Sequence, residues 1–471
     1  MRIGRRAHPD SAPNEGWGEC PHKPIQACFI LWSGSTESRP TGFGRSVKMR
    51  PRRTGGPNKS LAFRHLTAIL PNMWFKRTYE EILLHPTEAL RLFPVWLFLG
   101  PRQVGKSSLL LRCANSDRSV VNLDDLITRG RAHRDPAPFA ADLRAPLLID
   151  EIQYAPALLS AIKRLADQPG LPPGSIWLTG SQSFEVMRGV RETLAGRVAI
   201  LNLLGLSDEE KGPPPLTPKE AFARIWSTTF PKLQGVSGLD ALDLYLSSYL
   251  QTYIERDVRE LLGIQKRREF EIFVRMCALR TGQVLNVVEI ARDAGIAPNT
   301  AKEWISLLED SFLIRLIHPH HTNRTLRMIK SPKLYFLDAG LAAWLAGWRD
   351  PESLRLGPMA GAIYETHVLG ELIRHFRHRA REVEITYWRT RDGQEIDFLV
   401  ETAGRVHPIE VKMGTPDGRL LPKLGPLSEP HWETGQVISL LHLSPGSIPA
   451  TLATDWLAAT TTDLTFLDHR A

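Results

Sequence analysis

From residue 73 onward, short unbroken apolar runs alternate with stretches whose apolar residues recur three and four positions apart. The runs at 93–99, 119–123, 146–150, 176–181 and 198–201 have the length and β-branched content of buried strands. Residues 80–92, 107–113 and 157–166 carry helical spacing. Strands and helices taking turns in this way predict an α/β fold around a parallel sheet. Pro213-Pro214-Pro215 and Pro218 then mark a linker.

Beyond the linker the pattern changes to helices with fewer strands. Residues 242–262 read as one long helix with Tyr245, Tyr249 and Tyr253 at successive turns, a stripe suited to core packing or, less commonly, to base stacking. Residues 287–293 and 299–308 flank the turn Ala294-Gly295-Ile296 and precede an apolar strand at 312–317, which predicts a helix-turn-helix. Its second helix would present Asn299, Lys302 and Ser306 to a major groove, and a wing near Asn323, Arg324, Arg327 and Lys330 would touch phosphates. Glu303, Glu309 and Asp310 oppose that use, so packing between domains stands beside DNA binding as a reading. Further on, residues 363–376 form an apolar-striped helix. Residues 394–401 and 405–412 alternate around Ala403-Gly404 as a hairpin. Residues 421–471 hold short apolar runs and no evident chemistry.

The loop between the first strand and the helix after it carries the clearest chemistry. Gly100-Pro101-Arg102-Gln103-Val104-Gly105-Lys106-Ser107-Ser108 has the pattern G-x-x-x-x-G-K-S. Its glycines let backbone N–H groups turn toward phosphate oxygens at a helix N-terminus, Lys106 would reach the β and γ phosphates of ATP, and Ser107 would hold Mg²⁺. The strand at 146–150 ends in Asp150-Glu151, placing one acid to hold the Mg²⁺ shell and the next to orient the attacking water. Ser181 or Thr179, at the end of the fourth strand, would sense the γ-phosphate. Arg197 is placed to stabilise transition-state charge, and would need an oligomer if it acted across an interface; a solvent-facing arginine is the plainer reading.

A second constellation follows from the hairpin. Centring the turn at Ala403-Gly404 sets Asp397 opposite Glu410, and alternation puts Glu395, Asp397, Glu410 and Lys412 on one face. Ile396, Phe398, Ile409 and Val411 take the other. Two acids and a lysine on one face suit divalent-metal chemistry on a phosphodiester, with Lys412 positioning water; a solvated face of salt bridges is the alternative. The nearby Arg374, His375, Arg377, His378, Arg379 and Arg381 would offer phosphate contacts.

Together, the segments 100–107, 148–153, 178–181, 194–197, 335–341, 395–398 and 409–412 resemble the predicted AAA+ ATPases of prokaryotes that carry a C-terminal domain of unknown function. The resemblance implies a five-stranded parallel sheet of the additional-strand type, a winged helix and a restriction-endonuclease-like terminal domain. It also implies Glu365 as that domain's first acid, a better match than Glu371. The expected layout is a basic, unfolded extension at 1–72, a P-loop domain at 73–210, a helical connector at 211–265, a winged helix at 266–345, a nuclease-like α+β domain at 355–445 and a tail at 446–471.

Charge adds one restriction. The net +8 lies entirely in residues 1–72, where twelve Lys and Arg face four Asp and Glu, and the 47 bases and 47 acids of the remainder cancel. Nucleic-acid binding by the body would therefore rest on local patches. The extension reads either as a basic arm or as sequence upstream of a true start at Met73. Four scattered cysteines form no C-x-x-C pair, and no apolar run reaches membrane-spanning length, so the expectation is a cytoplasmic protein with ATP, and possible DNA, as partners and no membrane contact.

Overall fold

The computed structural model describes residues 74–180, 189–190, 192–236, 238–253, 267–320, 331–390, 393–414, 432–440, 456–459, 461 and 463–468. The extension at 1–72, Ser181 and the wing residues Asn323, Arg324, Arg327 and Lys330 lie outside them.

Five parallel strands, β1 (Val95–Leu99), β2 (Ser119–Asn122), β3 (Leu147–Asp150), β4 (Ile176–Gly180) and β5 (Val198–Asn202), form a sheet in the order β2-β3-β4-β1-β5. All of β1 is buried because both faces are covered. Val95, Leu97 and Leu99 pack with Leu147, Ile149 and Leu178; Trp96 and Phe98 pack with Leu109, Leu110 and Trp177. The first helical stretch is shorter than its spacing predicts. Helix α1 (Thr78–Leu84) stops before Pro86, which cannot donate a helical hydrogen bond, and a separate 3-10 turn covers Leu90–Leu92. Helix α2 (Lys106–Cys113) leaves the loop after β1, α3 (Leu159–Ala166) covers a sheet face with Leu159, Ala161 and Ile162, and α4 (Asp208–Lys211) follows β5.

Helices α5 (Pro218–Trp226) and α6 (Leu239–Tyr253) lead into a second module. It comprises α7 (Arg267–Ala278), α8 (Val287–Ala294) and α9 (Pro298–Asp310), with β6 (Gln283–Val284), β7 (Ile314–Ile317) and β8 (Lys333–Phe336) antiparallel in the order β6-β8-β7. Gly295, at φ 69°, closes α8, and Trp304 of α9 meets Phe270 and Phe273 of α7 at centroid distances of 5.0 and 5.3 Å. Asn299, Lys302 and Ser306 are exposed on α9.

After α10 (Ala339–Leu345) and the long α11 (Ala360–Arg377), five strands build a third layer: β9 (Glu384–Arg389), β10 (Glu395–Thr402), β11 (Arg405–Lys412), β12 (Gly435–Ser439) and β13 (Trp456–Ala459). Their order is β13-β12-β11-β10-β9, with β9 to β11 antiparallel and β11 to β13 parallel. The segment at 446–471 is thus no mere tail. It supplies β13, and Leu464 and Leu467 are buried in the core that holds α11.

Helix α11 is buried along most of its length despite its charges, because they are paired. Arg374 Nη2 lies 2.7 Å from Glu371 and Nη1 donates to the Leu337 carbonyl at 2.8 Å; His367 Nε2 lies 2.9 Å from Asp208 of α4. Arg379 pairs with Glu209, Arg377 with Glu382, and both His375 and Arg381 with Asp468, while His378 lies 3.4 Å from Glu210. The basic cluster expected to contact phosphate is therefore engaged by protein groups, and two of its members, His378 and Arg379, meet Glu210 and Glu209 of the first module. Asp208, His367 and Glu371 each bring a ligand atom within 4.8 Å of the others, yet Lys211 and Arg374 already balance them, which disfavours a metal. No described helix is long and apolar enough to cross a membrane.

Candidate nucleotide site and a second acidic cluster

The nucleotide loop is built by close backbone approach. Gly100 sits at φ 153°, and a Cβ there would lie 1.9 Å from the Leu203 carbonyl oxygen, so only glycine fits. Gly105, at φ 94°, turns the chain into α2. Lys106 is buried and folds over the loop, its ammonium donating to the carbonyls of Gly100 and Pro101 at 2.9 and 2.8 Å. From behind, the buried Arg77 guanidinium donates to Val104 O at 2.9 Å and Leu204 O at 2.8 Å and pairs with Glu210 at 3.1 Å, holding the loop against β5.

Strand β3 is not the neighbour of β1 in the sheet, because β4 lies between them. The gap is closed by side chains. Ser107 Oγ donates to Asp150 Oδ1 at 2.7 Å, and the fully buried Thr179 of β4 donates to the same oxygen at 2.5 Å while accepting from Glu151 N at 2.9 Å. Burial pushes the Asp150 carboxyl above its usual range, against the hydrogen bonds from Thr179 and Ser107. Glu151 is held in the left-handed region at φ 58° and accepts from Gln153. A non-glycine residue there is strained, which marks a position fixed by its surroundings. Gly100, Lys106, Ser107 and Asp150 fit a nucleoside triphosphate with a divalent cation: a glycine-lined backbone turn, a lysine over it and a hydroxyl beside a carboxylate.

Arg197 is not brought to this loop. It precedes β5 at the end of the sheet opposite the loop, since Val198 pairs with Val95, and its guanidinium is engaged by Asp167 and Ala195 O.

The terminal hairpin has the expected register, with Phe398 opposite Ile409 and Thr402 opposite Arg405, and both Ala403 and Gly404 at positive φ. One predicted face is corrected. A bulge between Ile396 and Leu399 against β9 shifts the alternation. Ile396 packs with Leu399, Val406 and Val437, while Phe398 and Ile409 join the core around α11. Asp397 N donates to Glu410 Oε2 at 3.3 Å, Asp397 Oδ2 accepts from Val411 N at 2.8 Å, and Lys412 pairs with Glu410. Burial, then the charges of Glu410 and Glu365, drive the Asp397 carboxyl well above its usual range, and burial also raises Glu410. Lys412 is raised because Glu410 outweighs its burial.

Two further residues enter this cluster from the second module. Lys333 of β8, 5% exposed, places its ammonium 3.4 Å from Glu365 and against Glu395, and the Tyr335 hydroxyl donates to Glu365 at 2.5 Å. Glu365, Asp397 and Glu410 do not each bring an oxygen within 4.8 Å of the others. Asp397, Glu410 and Lys412 fit the lysine-and-two-acid pattern; Glu365 is turned toward Lys333 and Tyr335.

Comparison with known proteins follows this division of the chain. An AAA domain is matched over residues 93–211, a domain of unknown function (DUF8612) over 230–352 and another (DUF4143) over 360–429. Uncharacterized proteins of Mycobacterium tuberculosis (Rv2008c) and Mycobacterium bovis (Mb2031c) are each 31% identical over 332 residues, covering 69% of this chain and 71% of theirs. The chain belongs to their family of P-loop AAA+ ATPases with a DUF4143 C-terminal domain. Among solved structures, Cdc6p of Pyrobaculum aerophilum matches 64% of this chain and 96% of its own at 15% identity. Its TM-score of 0.20 is too low to support any statement about this chain.

In this AAA+ ATPase, the loop residues, Asp150 and Glu151 stand together as the sequence implied. Four contributors were not foreseen at their positions: Arg77, Gln153, Lys333 and Tyr335. Lys333 left a readable trace, a lone charge heading the apolar run Leu334-Tyr335-Phe336, which is buried throughout.

Proposed function

We propose that this chain is a Mg²⁺-dependent ATPase whose nucleotide state governs a winged-helix and nuclease-like module acting on DNA in the cytoplasm. The observation that carries the ATPase reading is Ser107 hydrogen-bonded to Asp150 beside the folded-over Lys106. Mg²⁺, when bound, supplies charge neutralisation on the β and γ phosphoryl oxygens, and Ser107 and Asp150 are the residues that would hold it. Lys106 would exchange the carbonyls of Gly100 and Pro101 for phosphate oxygens. The N–H groups of residues 100–108 would cradle the phosphates. Thr179 holds Asp150 and the Glu151 backbone together, and Glu151 would orient a water and accept its proton. Ser181 remains a proposed γ-phosphate contact. Arg197 would act only on the nucleotide of a second copy.

For the module, the supporting features are the three-helix, three-stranded arrangement of α7 to α9 with β6 to β8 and the exposed Asn299, Lys302 and Ser306. Asp397, Glu410 and Lys412 support metal-dependent phosphodiester hydrolysis, with Glu365 as a further acid. A second reading, a regulator that binds DNA or a protein and cuts nothing, is favoured by Lys333, whose ammonium already sits among the acids. Incubating single-stranded and duplex DNA with Mg²⁺ or Mn²⁺, with and without ATP, separates the two. Cleavage by wild type and none by Asp397→Ala supports hydrolysis; DNA binding without cleavage in both supports the regulator.

A further inference from the structure

Of the three tyrosines striped along α6, the middle one behaves as core, but Tyr245 does something else. Tyr249 is buried, 4.7 Å from the Phe230 ring centroid. Tyr245 touches Phe230 at 5.8 Å and then projects its hydroxyl onto the phosphate loop, donating to Gln103 Oε1 across 142 residues of sequence. Gln103 itself holds φ 64°, a conformation that side chains other than Gly, Asn and Asp adopt rarely. It is exposed, so no core contact demands that geometry.

The same helix is fixed at its other flank. Asp243 accepts from Trp344 Nε1 of α10 at 2.7 Å and lies 3.7 Å from the Arg349 guanidinium. Between these flanks, Leu242, Leu246, Tyr249 and Leu250 bury the helix in the large core that also contains α10 and α11. A single helix therefore touches the nucleotide loop with one side chain and α10 with another, two residues apart.

We propose that Tyr245 is a positioning residue of the nucleotide site, holding the strained Gln103 turn in its binding shape and tying that shape to α6 and, through Asp243, to α10. Its hydroxyl acts on the loop through Gln103 and touches no reacting atom. The inference rests on the ATPase reading above. It goes beyond that reading by extending the nucleotide site outside the P-loop domain.

The test uses the full chain and compares Tyr245→Phe, Gln103→Ala and the double variant in steady-state ATP hydrolysis and in equilibrium binding of a fluorescent ATP analogue. Removing the hydroxyl leaves the ring on Phe230, so the melting temperature without nucleotide should not change. The expected result is a roughly 3- to 10-fold rise in KM and in the analogue's Kd, the worth of one hydrogen bond, with kcat within about 2-fold. Gln103→Ala should reproduce the effect, and the double variant should add nothing to it. Wild-type affinity in Tyr245→Phe, or effects that multiply in the double variant, would overturn the proposal while leaving the nucleotide site intact. A wild type that binds no nucleotide would overturn both.

Discussion

At the scale of single residues, the nucleotide site depends on a few atoms with no room for substitution. Gly100 is the strictest, because the added methyl of Gly100→Ala meets the Leu203 carbonyl, a backbone atom that is itself fixed by Leu203 N donating to Leu99 O at 2.8 Å. This variant should lose binding of the fluorescent ATP analogue while the remainder of the protein still melts cooperatively. Full binding would show that the loop can open there. Glu151→Gln has the opposite signature. It should keep nucleotide affinity and lower hydrolysis about 10²–10⁴-fold, the usual contribution of a positioned base, measured by phosphate release. These residues were readable because their chemistry is local: the loop pattern and the acid pair each lie within a few consecutive positions. The partners of Arg77, Lys333 and Tyr335 were not, since they lie 27 or more positions away; the lone charge of Lys333 at the head of an apolar run marks the residue but not what it meets.

At the scale of elements, α4 packs its acids against α11 and the residues just after it, joining the first and last modules. Glu210 shows its electrostatics. Burial alone would raise its carboxyl, but His378 and Arg77 outweigh that and hold it far below the ordinary carboxylate range. The folded-state value is depressed, so the stabilisation is complete above the unfolded value near 4.3 and is lost as pH falls below it. Glu210→Gln, which leaves Arg77 buried without its charge partner, should destabilise by about 3–5 kcal/mol near pH 7. The gap in melting temperature between variant and wild type should shrink as pH drops below about 4. A gap that stays constant with pH would show that Glu210 acts by packing alone. The elements themselves were largely legible, including the hairpin register. Ile396 was misplaced because a bulge moves side chains between faces without altering the apolar and polar alternation on which the reading relied. The cluster from Arg374 to Arg381 read as a source of phosphate contacts because several of its acidic partners, Glu209, Glu210 and Asp468, lie far away in the sequence.

At the scale of the whole molecule, the chain places a nucleotide loop at one end of a parallel sheet and a carboxylate cluster in another sheet, with α6, α10 and α11 in the core that holds the later modules. Arg197 provides a direct probe of assembly. Facing away from its own loop, it could serve only the loop of another copy. If it does, ATPase activity per mole of chain should rise with protein concentration, and Arg197→Ala should abolish that rise. Activity independent of concentration would leave Arg197 as the surface partner of Asp167. The most direct measurement for the account as a whole is steady-state Mg-ATP hydrolysis by wild type, Lys106→Ala and Asp397→Ala. The phosphate-loop assignment predicts turnover in wild type and in Asp397→Ala, and a loss of at least about 10²-fold in Lys106→Ala; turnover undiminished in Lys106→Ala would contradict it.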